Sequence, residues 1–198
     1  MVLIRDKSFL RYAAKFLVAF CILYYGTIAV IGLATPGNHY IPLIDHYFAY
    51  YRWLRESLLY GSKFLSKLSG YTVDILPPNY LFIRGGKGVM IAYDCLGYGV
   101  ISFWIAFVFA NSSGVKTKLA WMLSGTAALW LINVARITAF LIAHNHNWPM
   151  PLGLDHHTWF NIASYVLIFC MIWFYDKKNN TTNNITSQNL TEATNPDK

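Results

Sequence analysis

LAWMLSGTAALWLINVARITAFLIA, residues 119–143, decides the fold. Its 25 residues carry one charge, Arg136. About 20 apolar residues in a helix cross the roughly 30 Å hydrocarbon core of a bilayer, so this stretch predicts a membrane span. Three more uncharged runs of similar length flank it: Phe16–Ala34, Cys95–Val115 and Thr158–Tyr175. The expected fold class is an all-α polytopic membrane protein with four transmembrane helices. Composition agrees. Of 198 residues, 56% are hydrophobic, 17% aromatic and only 13% charged, against about 25% charged in soluble domains.

The segments between the spans have their own character. The N-terminal MVLIRDKSFLRYAAK is basic and precedes a run too long for the apolar part of a secretory signal, so it reads as the approach to a retained first helix. TPGN, 35–38, stops that helix. Tyr47–Leu68 mixes Arg52, Arg55, Glu56, Lys63 and Lys67 with many aromatics, too much charge to span cheaply. It predicts an amphipathic helix, interfacial or packed on the bundle. Pro77 and Pro78 forbid a helix next. YLFI and VMIAY around RGGKG predict a short extracytoplasmic β-hairpin whose second strand leads to Cys95. Residues 1–175 form one membrane-embedded domain. Residues 176–198, rich in Asn and Thr, predict a disordered polar cytoplasmic tail.

Basic residues orient the chain. Arg5, Lys7, Arg11 and Lys15 precede the first span, Lys116 and Lys118 separate the second from the third, and Lys177 and Lys178 follow the fourth. Four spans place all three groups on one side, which the positive-inside rule makes cytoplasmic. The loop from Asn145 to His157 lacks Lys and Arg, as an outer loop should. The middle section, also outside, holds six basic residues; its length weakens the rule there. The net charge of +7 therefore serves orientation. No nucleic-acid motif accompanies it.

This topology gathers chemistry at the outer face. Three cysteines without close pairs exclude a disulfide framework. Cys21 and Cys170 read as buried small apolar residues. Cys95, in AYDCLGYGV, stands at the outer start of the second span, where a helix N-terminus favours a thiolate. Asp94 beside it opposes that unless it caps the helix. Gly97 permits close backbone approach. Arg136 lies roughly 10 Å below the outer end of its span. An arginine at that depth is a functional candidate, able to hold a substrate carbonyl or an oxyanion. Asn133 shares its helical face. Asp155, His156 and His157 open the fourth span, and a histidine there serves as general base. The plainer readings are a boundary cysteine, a snorkelling arginine and interfacial histidines. HNH and DHH also hold zinc-ligand types, without a recognised zinc spacing.

The ordered set DCLGYG, NVAR and HHTWFN resembles the exosortase/archaeosortase family over roughly residues 75–175. The resemblance implies a membrane cysteine peptidase and transpeptidase of the bacterial inner membrane, active on the extracytoplasmic face. It implies cleavage of C-terminal sorting signals on membrane-anchored exported proteins. Transfer to a surface acceptor, lipid or polysaccharide, follows through a Cys thioester. It implies no cofactor, no metal and no nucleic-acid partner. The family's Cys, Arg and His fall on Cys95, Arg136 and His157, with His156 as the alternative and Asn133, Gly97, Asp155 and Asn161 in support. Leu96 after the cysteine, Asn161 in place of glycine and the small number of spans depart from the family pattern. Two other readings stand beside it. One is a non-enzymatic scaffold of an envelope or polysaccharide-export complex. The other is a metal or haem protein using the outer histidines.

Overall fold

The structure, a computed structural model, describes residues 7–37, 39–148, 158–159 and 162–177. It is mostly helical. In chain order come α1 (Lys7–Ala34), α2 (Pro42–Tyr47), α3 (Tyr50–Leu68), β1 (Val73–Leu76), β2 (Tyr80–Ile83) and β3 (Gly88–Met90). A 3-10 turn (Tyr93–Leu96) then leads to α4 (Tyr98–Ala110), α5 (Val115–Asn145) and a helix over 162–177.

Two helices among the described residues are long and apolar enough to cross a membrane: α1 with 28 residues and α5 with 31. At 1.5 Å per residue they extend about 42 and 46 Å. The second sequence-predicted span is shorter than its uncharged run. Asn111 takes an extended backbone and ends α4 after 13 residues. Lys118, in the first turn of α5, donates from Nζ to the Phe109 carbonyl at 2.9 Å, satisfying one open carbonyl at the end of α4. At the other end of the chain, helix 162–177 continues through Asp176 and Lys177, both expected in the tail. The remainder of that tail lies outside the described residues.

α1 lies along α4 through an aromatic seam. Tyr12 meets Phe107, Phe16 meets Phe103, and Tyr24 stacks on Tyr98 with 5.6 Å between ring centroids. α4 in turn packs on the first half of α5. Trp104, fully buried, donates from Nε1 to the Trp121 carbonyl at 2.9 Å. Gly125 makes this approach feasible, since a Cβ there would stand 2.0 Å from Trp104 Nε1. With Leu129, Ile168, Met171 and Tyr175, Trp104 forms one core.

The second half of α5 belongs to another core. α3 runs beside it in the same direction: Trp130 Nε1 donates to Ser57 Oγ at 3.0 Å, and Thr138 Oγ1 to the Ser62 carbonyl at 3.3 Å. The amphipathic segment thus packs on the bundle. Its buried face, Tyr51, Arg55, Leu58, Leu59, Ser62 and Ser66, follows helical spacing. Beyond it sits an antiparallel sheet of order β1-β2-β3. The expected hairpin is β2 with β3, and β1 adds a strand that the sequence reading omitted. Asp74 in β1 is held by Arg84 and Lys63, which makes a carboxylate tolerable in so short a strand. The all-α expectation is corrected to this extent. Asn145 ties the sheet to α5, accepting from the Lys87 N–H at 2.8 Å and donating to its carbonyl at 3.0 Å. Val73, Leu81, Val89 and Ile91 join Leu58, Val134 and Leu141 in this second core.

The outward faces of α1 and 162–177 are apolar. Leu17, Val18, Ile22, Val166, Phe169 and Trp173 are all exposed, a distribution suited to lipid rather than water. Cys170 lies on that exposed face and Cys21 is half-buried, so neither is the core residue expected of it.

Candidate active site

The 3-10 turn Tyr93–Leu96 sits where the two cores meet. Leu96 anchors it in the sheet-side core. Gly97 follows with φ 74°, a left-handed conformation that glycine adopts without steric cost, and this reverses the chain into α4. Cys95 therefore precedes the helix rather than opening it, because the turn closes by its own Cys95 N–H to Ala92 carbonyl bond of 3.0 Å. The alternative of an Asp94 cap is not what the structure shows. Asp94 is exposed and makes no capping bond to α4.

Three helices hold the turn. Just after α1, Thr35 Oγ1 meets the Tyr93 hydroxyl at 3.3 Å. From α3, Tyr51 packs edge-to-face on Tyr93 at 5.6 Å between centroids. From α5, Asn133, only 3% exposed, donates from Nδ2 to the Cys95 carbonyl at 2.9 Å. One turn further along α5, the half-buried Arg136 guanidinium lies close enough to the Cys95 side chain to interact with it electrostatically. Asn133 and Arg136, on one face as their i, i+3 spacing requires, thus both lie against Cys95, Asn133 bonded to its carbonyl and Arg136 near its side chain.

Asn133 Oδ1 and Ser164 Oγ are buried without a hydrogen-bond partner among the described residues. Both residues line a cavity of about 10 Å³ behind Gly97, the size that holds one water. Ser164 thereby brings helix 162–177 against the Cys95–Asn133 pair. Asp155, His156, His157 and Asn161 fall outside the described residues.

Of the histidines at the C-terminal end of α5, His146 Nε2 pairs with the Tyr71 hydroxyl at 2.8 Å, and His144 stacks on Phe140 at 5.9 Å between ring centroids. No group of three potential metal ligands occurs among the described residues. The sequence reading brought Cys95, Arg136, Asn133 and Gly97 together, as the structure does. It missed Thr35, Tyr51 and Tyr93, whose roles depend on how α1 and α3 close over the turn. No protein-family model, curated protein or solved structure matches the chain.

Proposed function

We propose that this protein is a membrane cysteine peptidase/transpeptidase that processes C-terminal sorting signals of membrane-anchored exported proteins. The observation that carries the reading is the Asn133 Nδ2 bond to the Cys95 carbonyl at 2.9 Å, which holds Cys95 against the face of α5 that also carries Arg136. An arginine within a span calls for a use, and this one stands near a thiol.

In the proposed reaction, Cys95 Sγ attacks the scissile carbonyl and its proton passes to His157, with His156 as the alternative. Arg136 steadies the thiolate and then the oxyanion. The C–N bond breaks, the histidine returns the proton to the departing amine, and a thioester remains on Cys95. An acceptor amine, hydroxyl or water then attacks the thioester, restoring the thiol. Asp155 and Asn161 support the histidine. A substrate helix lying beside the bundle arrives with its cleavage site at the right depth, which replaces a random encounter by a positioned one. The β3 edge, five residues before Cys95, offers backbone groups to an extended substrate.

The proposed topology has four passes, with Cys95 on the extracytoplasmic side of a bacterial inner membrane. Contacts at the opposite end of the bundle support it. Ser113 and Tyr175 hydroxyls meet at 2.7 Å and Tyr12 packs on Phe107. These contacts gather the basic residues around Arg11, Lys116, Lys118 and Lys177 at one end, as the positive-inside rule requires.

The test is processing of a tagged, membrane-anchored exported protein in cells carrying wild type, Arg136→Gln, Arg136→Lys, His156→Ala or His157→Ala at matched abundance. The reading expects loss in both Arg136 variants, because lysine lacks the planar fork, and loss in one histidine variant. Normal processing in Arg136→Gln sinks it.

A further inference from the structure

A second polar site lies on the other side of the Tyr93 turn. A cavity of about 340 Å³ opens between the end of α1 and the start of α3, lined by Thr35, Pro36, Arg52, Arg55, Pro78 and Tyr93 among others. None of the residues lining it is acidic. Arg52 is already ion-paired with Asp45, which also accepts from the Tyr40 hydroxyl at 2.9 Å. Arg55 is different. It is only 9% exposed, and its Nε is buried without a hydrogen-bond partner among the described residues. What it has is a ring: its guanidinium carbon stands 5.9 Å from the centroid of Tyr93. Burying Nε without a hydrogen-bond acceptor leaves that donor unsatisfied, which is costly unless an anion completes the site.

The surroundings identify the anion. Ala34–Pro36 ends a helix long enough to cross a bilayer, and the neighbouring Tyr47, Phe48, Tyr50 and Trp53 are exposed, Trp53 by 78%. Exposed aromatics at the end of a span mark headgroup depth. The abundant anion there is a lipid phosphate, whose oxygens match the arginine fork. We propose that this cavity binds the phosphate of a membrane lipid headgroup, with Arg55 as its principal contact. This site stands whether or not Cys95 is a nucleophile. Because Tyr93 also belongs to the Cys95 turn, an occupied site braces that turn.

The experiment follows the thermal unfolding midpoint of the purified, delipidated full chain in non-ionic detergent. The probes are dioleoylphosphatidylglycerol, dioleoylglycerol with the same chains and no phosphate, sodium phosphate, and a short glutamate-containing peptide. Wild type should be stabilised by phosphatidylglycerol and not by dioleoylglycerol. Arg55→Gln should need at least about tenfold more phosphatidylglycerol for half the effect, whereas Arg52→Gln should shift it less. Should Arg55→Gln fail to fold, Arg55→Lys carries the test, because it keeps the charge and loses the fork. A several-fold weaker response is then expected, and an unchanged one overturns the site. Equal responses in wild type and Arg55→Gln, a response to dioleoylglycerol matching that to phosphatidylglycerol, or saturation by sodium phosphate alone each overturn the proposal. So does a response to the acidic peptide without one to the lipid.

Discussion

Replacing Asn133 by alanine should damage catalysis far more than it damages folding. Asn133 spends its Nδ2 on the Cys95 carbonyl at 2.9 Å in a site only 3% exposed. Losing a buried hydrogen bond costs about 1–3 kcal/mol when the abandoned group finds no partner. At 1.4 kcal/mol per factor of ten, that lowers the population of the held turn by roughly 5- to 150-fold. Water entering through the adjoining cavity would bring the cost toward the lower end. Only the held turn presents the thiol to Arg136, so the processing rate should fall by the same factor. The control is Thr138→Val, which removes a bond of similar burial on the same helix, from Thr138 Oγ1 to the Ser62 carbonyl at 3.3 Å. It should lower the unfolding midpoint about as much and leave processing near wild type. The assay is pulse-chase of a tagged substrate beside thermal unfolding in detergent. Equal loss of processing in the two variants, or no loss in Asn133→Ala, refutes the reasoning.

Other outcomes follow from the same geometry. Gly97→Ala forces a Cβ into a left-handed residue at a cost of about 1–2 kcal/mol and to 3.3 Å from Asn133 Nδ2; both the unfolding midpoint and the processing rate should drop. Gly125→Val sets a side chain where a Cβ alone meets the Trp104 indole at 2.0 Å. It should abolish the monodisperse peak in size-exclusion chromatography, while Gly114→Ala, with open space around it, should not. Asn145→Ala removes both bonds to Lys87 and should speed amide exchange across β3 without changing exchange in α4.

Much of this arrangement is readable from residue order. The α3 register is written in the spacing of Tyr51, Arg55, Leu58, Leu59, Ser62 and Ser66, and charge counting along the chain is enough to expect Cys95 and Arg136 toward the same end of the bundle. Arg55 shows how such a reading is missed. It belongs to that buried face by spacing, yet among Arg52, Glu56 and Lys63 it looks like part of a solvated one. Strand β1 escaped because four residues running into Pro77 and Pro78, with Asp74 among them, carry little strand signal. The position of Cys95 before α4 escaped for another reason. Apolarity runs unbroken across Gly97, and only backbone geometry separates the turn from the helix.

The central claim, that Cys95 is a nucleophile, is tested most directly by C-terminal proteomics of host membranes carrying wild type or Cys95→Ala at equal abundance. The account predicts a set of exported membrane proteins that end at a common short motif in wild-type cells. The same proteins should be full length in Cys95→Ala cells. Identical C-termini in the two strains would contradict it.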